Sequence, residues 1–440
     1  MQTITFAIGV DMIQIKALNR LNSRVKRIEH FGMHVDLVKT SKGVVRIGSM
    51  PDISKLLNFH GFREEIVIVP PWKGSMAGDN HTGEEFVLWN AQVKGSIKRA
   101  YVGAPKDLNL MYQHLDETFS FFFDQQRINI VKKQWLKKWF DRQPASPVYA
   151  NGSLKILIEN QNIILTDQGK SLYNQNELET SYNPDTLVET ALTRVTRDSH
   201  PRPALEIKAI GTGNGFVGTV TSCVVRFENQ VIWIDPCGYP AHSLAHHQVH
   251  WDDITHMIIT HNHEDHIQGF SACLKRAEKT GHPINLITAP SIYEVLEKQF
   301  TRLCPDFSQL IHLIPIVPGK KLSLGSIKVE CRWNHHFLPY GTLGLKFTAG
   351  GKSFGFSGDT KFDDRINDIV NREELLPQWF AACDLVFHEV DFDNPNSVHT
   401  HWKSLEKLAQ SISGQVLGYH TPFLANAPLP LVEQGKTYGL

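Results

Sequence analysis

Short apolar runs that end at glycines, prolines or polar clusters recur along the whole chain. Runs of this kind, bounded by turn residues, are typical of buried β-strands. In the second half, residues 205–213 predict a strand that enters a glycine turn, and residues 223–227 and 231–235 predict a hairpin joined by a Glu-Asn-Gln turn. Further predicted strands include residues 257–260, 353–360, 384–389 and 415–419. The pattern predicts an α/β protein.

The first half repeats the order of these runs. The parallel segments are residues 35–48 with 224–235, 65–72 with 256–263, 101–105 with 286–290, and 154–167 with 345–359. Similarity across a whole half indicates duplication of one fold more strongly than any single match does. The alternative is an unrelated α/β domain, because strand–turn–strand patterns also recur by chance.

A chain of 440 residues is too long for one ordinary hydrophobic core, which favours two domains. The segment before residue 204 ends in Arg-Asp-Ser-His-Pro-Arg-Pro, a composition typical of a linker. We predict an α/β domain over residues 1–185, a linker over residues 186–202 and a catalytic domain over residues 203–440.

The composition narrows the classes of partner and location. The formal net charge of zero gives no reason to expect a polyanionic partner. No apolar run approaches the roughly 18–20 residues of a membrane helix, and the first residues lack the charged-then-apolar plan of a signal peptide. None of the six cysteines belongs to a Cys-x-x-Cys pair. We therefore expect reduced thiols in a cytoplasmic protein that has no membrane partner.

The strongest chemical signal directly follows the predicted strand over residues 257–260. Four ligand-type side chains are crowded there, at a density that packing does not require: His261, His263, Asp265 and His266. The first two are separated by one residue, so an extended backbone can aim both at one ion. The last two follow on a turn and can serve a second ion. Imidazole combined with carboxylate suits zinc, iron or manganese better than calcium or magnesium.

This His-x-His-x-Asp-His string resembles the signature of the metallo-β-lactamase superfamily. The resemblance covers about residues 203–425 and implies a four-layer αββα sandwich with two divalent metal ions. Zinc is the expected metal, with manganese or iron as alternatives. The predicted hairpin over residues 223–235 resembles the opening hairpin of the family. This implies that Asp235, at the end of its second strand, braces the metal loop through hydrogen bonds.

The same resemblance implies three further ligands. His336 matches a ligand that follows a strand, because Phe337 resembles the apolar residue after that ligand, and the adjacent His335 is the alternative. Asp359, in Gly-Asp-Thr, matches the carboxylate that bridges both metals, and His420 matches the histidine after the final strand. Asp359 would be shared between one metal held by His261, His263 and His336 and another held by Asp265, His266 and His420.

A second constellation indicates the chemistry. Residues 384–389 end in His-Glu, and the string Ser-Val-His-Thr-His precedes a predicted helix over residues 402–411. This pairing resembles the phosphodiesterase branch of the superfamily, which includes transfer-RNA 3′-processing nucleases and cyclic-nucleotide phosphodiesterases. The resemblance implies that His399, oriented by Glu389, donates a proton to the leaving oxygen. His401 is the alternative donor.

These resemblances predict a dinuclear-metal hydrolase. Its expected activity is that of a phosphodiesterase on a small phosphodiester or nucleotide, by attack of a metal-bridging hydroxide. RNA is a less favoured substrate, since the net charge is zero and no RNA-binding arm is visible. The alternatives are a thioester or lactone hydrolase of the same fold, and a metal-stabilised binding protein with an inactive N-terminal half. We also expect a homodimer, because many relatives dimerise.

The first half lacks the metal string. Pro70, Pro71 and Trp72 stand where ligands would be, and Gly48 replaces Asp235. The parallel runs therefore predict a degenerate, metal-free copy of the metallo-β-lactamase fold before the catalytic domain.

Overall fold

The chain forms two compact units, of which the first comprises Met1–Ala191 and Gln299–Pro305 and the second Leu192–Lys298 and Asp306–Leu440. The computed structural model describes residues 4–8, 11–17, 25–51, 53–59, 62–69, 74–78, 99–122, 140–145, 148–159, 162–178, 183–198, 200–215, 218–336, 341–362, 375–421 and 424–440. No helix within these ranges is long and apolar enough to cross a membrane. All six cysteines are buried and none forms a disulfide.

Two sheets make up the described part of the first unit. The strands are β1 Ile4–Ile8, β2 Asp11–Ala17, β3 Val25–His30, β4 Met33–Thr40, β5 Gly43–Ile47, β6 Ile66–Ile68, β7 Arg99–Gly103, β8 Phe140–Pro144, β9 Val148–Asn151, β10 Leu154–Glu159, β11 Asn162–Asp167 and β12 Lys170–Asn174. The helices are α1 Ile53–Phe59, α2 Pro105–Phe122 and α3 Pro184–Leu192, so most of α3 falls within the predicted linker. Strands β1 to β8 form one sheet in chain order, antiparallel up to β5 and parallel from β5 to β8. Strands β9 to β12 form an antiparallel sheet.

The core of the first unit lies between these two sheets. Alternate side chains of a strand point to the same face, so each sheet presents one apolar face. Val45 and Ile47 of β5 pack in one buried cluster with Leu154 and Ile156 of β10 and Leu165 of β11. This packing explains why β5 and β10 both alternate apolar with polar residues, although the two strands are distant in sequence.

The second unit also contains two sheets. Its strands are β13 Arg202–Gly211, β14 Ser222–Glu228, β15 Gln230–Ile234, β16 His256–Ile258, β17 Ile284–Thr288, β18 Ile311–Pro315, β19 Lys321–Leu324, β20 Ile327–Trp333, β21 Leu343–Ala349, β22 Lys352–Phe356, β23 Leu385–Glu389, β24 Gln415–Tyr419 and β25 Thr437–Gly439. The helices are α4 Pro240–His246, α5 Glu264–Ile267, α6 Phe270–Thr280, α7 Pro290–Phe300, α8 Phe307–Leu310, α9 Leu375–Phe380 and α10 Trp402–Ala409. The sheet orders are β18-β17-β16-β15-β14-β13-β25 and β19-β20-β21-β22-β23-β24.

Strand direction brings the predicted site residues to one edge of each sheet. In the first sheet β15 and β16 are parallel, so Asp235 and His261 both follow carboxyl ends. In the second sheet β20 and β22 run the same way, because each is antiparallel to β21. Strands β22, β23 and β24 are parallel, so Asp359, Glu389 and His420 again lie at or just past carboxyl ends. Loops from both sheets can therefore contribute to one site.

Tyr419 of β24 joins the two sheets of the second unit. Its hydroxyl donates to the carbonyl oxygen of Gly211 at 2.7 Å and accepts from the N–H of Ser222 at 3.0 Å. Helices cover the outer faces. On the second sheet, for example, Phe380 of α9 and Leu405 of α10 pack in one cluster with Val386 of β23. This is the predicted four-layer αββα arrangement.

Strands β3 to β12 of the first unit repeat the order and directions of β13 to β22 in the second unit. The pair β4–β5 is antiparallel and β5 to β8 are parallel, as β14–β15 is antiparallel and β15 to β18 are parallel. The residues after β5 and β15 share a left-handed backbone conformation, with φ of 96° at Gly48 and 49° at Asp235. The predicted second copy of the fold is confirmed, and its lack of a metal site stays a prediction. Pro70, Pro71 and Trp72 lie outside the described residues.

One predicted correspondence is wrong. The alignment of residues 154–167 with 345–359 pairs Asp167 with Asp359, but Asp167 ends β11, before the turn to β12. In chain order β11 and β12 correspond to β21 and β22, so the equivalent turn of the second unit joins β21 to β22. Asp359 instead follows β22. Asp167 instead accepts hydrogen bonds from Ser41 and Ser153. The alignment is displaced by one strand, because successive antiparallel strands share the same two-residue periodicity.

Candidate metal centre

The metal string combines an extended segment with one short helical turn. The chain leaves the buried strand β16, and His263 has extended backbone angles (φ −67°, ψ 146°) at the start of α5. The N–H of His266 donates to the carbonyl oxygen of His263 at 2.9 Å, which closes the turn. The extended part aims the first two histidines at one point, and the turn places Asp265 and His266 beside it.

One cluster joins three imidazoles and a carboxylate. His261 Nε2 lies 3.0 Å from His263 Nδ1, and His336 Nε2 lies 3.2 Å from that same His263 atom. Asp359 Oδ2 is 3.7 Å from His261 Nε2 and 3.9 Å from His336 Nε2. All four side chains are buried. Their ligand atoms lie within 4.8 Å of one another, close enough to hold one ion.

A second cluster also adjoins Asp359. His420 Nε2 is 3.7 Å from Asp265 Oδ2 and 3.6 Å from Asp359 Oδ2. His266 Nε2 is 3.2 Å from Asp359 Oδ1. Asp359 therefore turns one oxygen toward His266 and the other toward the first cluster and His420, which is the geometry needed to serve two ions.

The protonation of the first cluster fits a metal rather than a hydrogen-bond network. Burial lowers the pKa of His261 and His263 well below the ordinary value and that of His336 to about 3, so all three imidazoles are neutral. If two of these nitrogens shared a proton, the lone pair of the third nitrogen would still face another lone pair. One divalent cation, in contrast, can accept the lone pairs of all three nitrogens. Burial opposes ionisation of Asp359, but the surrounding histidines, led by His420 and His266, hold the pKa of Asp359 well below its usual range. Neutral nitrogens with an ionised carboxylate match the ligand preference of zinc and similar metals.

Asp235 orients His266. Its Oδ2 accepts from His266 Nδ1 at 2.8 Å and from Thr260 Oγ1 at 2.7 Å, and its Oδ1 accepts from the N–H of Thr260 at 2.8 Å. With Nδ1 as the donor, Nε2 is the nitrogen that faces Asp359. Burial acts against a charged ring, yet the carboxylates, led by Asp359 and Asp265, raise the pKa of His266 well above the ordinary value. This negative charge is what a bound cation would neutralise.

Thr221 orients His420 in the same way, and sequence reasoning missed it. Thr221 Oγ1 donates to the carbonyl oxygen of Gly213 at 3.0 Å and lies 2.6 Å from His420 Nδ1. The hydroxyl therefore accepts from Nδ1–H, and His420 Nε2 faces the second cluster. The two residues are 199 positions apart, so no local pattern could have indicated this contact.

The structure separates the two adjacent histidines after β20. His336 is buried in the first cluster, whereas His335 belongs to none of the ligand clusters among the described residues. The carbonyl oxygen of His335 accepts from the N–H of Lys361 at 2.6 Å. The geometry thus favours His336 as the ligand.

His399 and Glu389 form an ion pair at the edge of the centre. His399 Nδ1 bonds to Glu389 Oε2 and lies 3.9 Å from Asp359 Oδ2. The other oxygen of Glu389 accepts from the N–H of Thr360. Burial disfavours a charged imidazole, but the charge and hydrogen bond of Glu389 raise the pKa of His399. The side chain of His399 is 29% exposed and that of Glu389 is 1% exposed, so only the histidine can reach a ligand from solvent.

His401 occupies a different environment. It precedes α10 at the N-cap position, and its ring lies 5.8 Å from that of Trp402. It belongs to none of the ligand clusters that the described residues form. The structure therefore brings His399, and not His401, to the centre.

Comparison with known proteins identifies the family. The family model described as "Anti-Pycsar protein Apyc1" matches residues 205–427, half of the chain. The chain belongs to this family. The matched segment contains every predicted ligand, together with Asp235, Glu389 and His399.

Curated relatives of the phosphodiesterase branch are also similar. The cGMP-dependent 3′,5′-cGMP phosphodiesterase A of Dictyostelium discoideum is 26% identical over 258 residues, which cover 54% of this chain and 28% of that protein. Ribonuclease Z of Crocosphaera subtropica is 28% identical over 147 residues, which cover 31% of this chain and 46% of that protein. The chain spans less than half the length of these relatives. The predicted resemblance to the metallo-β-lactamase superfamily is confirmed.

Solved structures are similar at lower identity. The metallo-beta-lactamase fold protein YhfI from Bacillus subtilis is 16% identical with a TM-score of 0.44, over 54% of this chain and 99% of that one. A long form of RNase Z from yeast is 12% identical with a TM-score of 0.42, over 94% of this chain and 71% of that one.

Proposed function

We propose that this protein is a metal-dependent phosphodiesterase that acts on a small phosphodiester or nucleotide. The observation that supports this most strongly is the His399–Glu389 pair. It lies beside the metal ligands, with His399 Nδ1 3.9 Å from Oδ2 of the shared carboxylate Asp359. A proton donor beside two ligand clusters is what phosphodiester hydrolysis requires, because an alkoxide leaves poorly without protonation.

The ligand sets proposed for the two ions are the two clusters around Asp359, with zinc as the proposed metal. Bound divalent ions would activate a water molecule and neutralise charge on the phosphoryl group. His399 would carry on its Nε2 the proton that it donates to the leaving oxygen, since Nδ1 is bonded to Glu389. Glu389 keeps the imidazole charged until that proton is transferred.

Exposed apolar side chains close in sequence to three of the proposed site residues support a substrate with an apolar face. Five large hydrophobic side chains are exposed among the described residues, and Trp333, Val398 and Leu424 stand within four positions of His336, His399 and His420. Trp333 lies on the same face of β20 as the buried Val329 and Cys331, yet it is 42% exposed because the strand ends there. An exposed indole suits stacking with a nucleobase.

The first test is zinc- or manganese-dependent hydrolysis of two phosphodiesters, one with a 4-nitrophenolate leaving group and one a 3′,5′-cyclic nucleotide. Asp265→Ala should lower turnover of both by about 100-fold or more, because it removes a ligand. His399→Ala should lower turnover of the cyclic nucleotide by about 100-fold and that of the nitrophenyl ester far less, because nitrophenolate leaves without protonation. His401→Ala is the matched control and should resemble the unaltered protein. A protein that binds two metals but hydrolyses only thioesters or lactones would overturn the proposal.

The nucleobase contact has its own test. Trp333→Ala should raise KM for a cyclic nucleotide by roughly 5- to 100-fold, the effect of losing one stacked base. It should leave KM unchanged for a methyl ribofuranoside 3′,5′-cyclic phosphate, which has the same leaving group and no base. Trp333→Phe should retain most of the affinity, and Val317→Ala serves as an exposed control elsewhere on the unit. An equal loss for both substrates would contradict base stacking.

A further inference from the structure

Lys361 joins two segments that carry proposed functional side chains. It stands two residues beyond Asp359, and only 8% of it is exposed. Its backbone N–H donates to the carbonyl oxygen of His335 at 2.6 Å, and its Nζ donates to the carbonyl oxygen of Pro395 at 2.7 Å. One lysine thus contacts the segment next to the proposed ligand His336 and the loop that leads to His399.

That loop, residues 391–399, has a closed base and an exposed middle. At the base, the N–H of Asp391 donates to the carbonyl oxygen of Thr400 at 2.8 Å, and the N–H of Trp402 donates back to Asp391 at 3.0 Å. Within the loop, Asp391 Oδ1 accepts from two backbone N–H groups. Residues 393–396 are exposed to solvent. The side chain of Lys361 reaches this exposed middle from outside the loop and ties it to the segment that carries Asp359.

The position of His399 depends on this loop. Its ring must stay bonded to Glu389 while Nε2 remains available to a leaving oxygen, and a displacement of about 1 Å can cost roughly 100-fold in rate. We infer that Lys361 is a positioning residue that holds loop 391–399 so that His399 can act as the proton donor. The inference rests on the proposed phosphodiesterase function.

Only the side-chain end of Lys361 is assigned this role. The backbone bond to His335 survives any substitution other than proline. The neighbouring bonds from Phe362 N–H to Thr400 Oγ1 at 3.0 Å and from Thr400 Oγ1 to the carbonyl oxygen of Thr360 at 2.7 Å do not involve the lysine side chain. Lys361→Met keeps the length and apolar stem of the side chain and removes the donor, so it isolates the contact with Pro395.

The experiment compares Lys361→Met, Lys361→Arg and the unaltered protein on the two substrates with different leaving groups. We expect Lys361→Met to lower kcat by about 10- to 100-fold for the cyclic nucleotide and by less than about 3-fold for the nitrophenyl ester, with KM unchanged. Lys361→Arg should recover a large part of the loss, because it restores a donor at the same place. Lys352→Met is the control: Lys352 pairs with Asp384 at 3.0 Å on the exposed start of β22.

Each outcome has a distinct meaning. Equal losses on both substrates, or no loss on either, would overturn the positioning role while leaving the phosphodiesterase proposal intact. A leaving-group effect that appears in Lys361→Met and in His399→Ala but not in Lys352→Met would support it. If the unaltered protein turns over neither substrate, it is the proposed function itself that fails.

Discussion

At the scale of single residues, the centre depends on which nitrogen each histidine presents. A hydrogen bond to one ring nitrogen fixes the tautomer and leaves the other to bind a metal. Asp235 does this for His266, and Thr221 does it for His420. The Asp235 contact follows from a family resemblance, whereas the Thr221 contact is visible only in the folded chain.

Replacing Thr221 tests this orienting role. Thr221→Val keeps the shape of the side chain and removes the oxygen that accepts from His420 Nδ1. We expect metal affinity at the second cluster to fall by about 10- to 100-fold, as is typical when the partner of a ligating histidine is lost. Competition with a chromogenic chelator measures the change.

Thr219→Val provides the control for this experiment. Its hydroxyl accepts from Gln434 at 3.3 Å in the same loop and does not contact a histidine of the centre. Equal affinities in Thr221→Val and the unaltered protein would show that His420 does not need Thr221.

At the scale of elements, the ligand turn is held by a close approach to a neighbouring loop. Gly269 lies between α5 and α6, and its N–H donates to the carbonyl oxygen of Pro236 at 2.8 Å. A Cβ added to Gly269 would lie 2.1 Å from the carbonyl oxygen of Cys237, which is backbone and cannot rotate away. The position therefore requires glycine, and the contact ties the metal string to the loop that follows β15.

Gly269→Ala should consequently displace α5 or the loop after Asp235. We expect the free energy of unfolding to fall by about 1–3 kcal/mol or more, the usual cost of forcing extra volume into packed backbone. Because Asp265 and His266 belong to α5, metal binding should weaken as well. Urea denaturation and metal titration measure the two effects.

Gly281→Asn is the control, since Gly281 ends α6 in a left-handed conformation (φ 69°) and a Cβ added there would meet no atom within 4 Å. Asparagine tolerates this conformation. A small effect of Gly269→Ala would refute the close-contact argument.

At the scale of the whole molecule, the centre takes its proposed ligands from both sheets of the second unit. Its proposed ligands come from the segments after β16, β20, β22 and β24, so an ion would link parts of the chain more than 150 residues apart, such as His266 and His420. Several of these side chains are buried imidazoles and carboxylates, and their desolvation lowers the stability of the metal-free protein.

Metal should accordingly stabilise the protein. A ligand that binds only the folded state at 100 times its dissociation constant adds about 2.7 kcal/mol, which for a unit of this size raises Tm by roughly 5–10 °C. Scanning calorimetry after chelation and after zinc addition measures this shift. The shift should be smaller in Asp265→Ala, which removes a proposed ligand of one ion, and should persist unchanged in Asp306→Ala, an exposed aspartate outside the clusters. An unchanged Tm on zinc addition would contradict the metal centre.

The sequence by itself determined what is local. The spacing from His261 to His266 is readable because one strand end and one turn place all four side chains, and the apolar runs predicted the strands of both units because burial on one face imposes a period of two. The tertiary structure decided what depends on distant contacts. It separated His336 from His335 and His399 from His401, since adjacent candidates differ only in what they meet in space. It also corrected the alignment of Asp167 and revealed Thr221 and Lys361, because a strand's register and a hydrogen bond across the fold leave no trace in local composition.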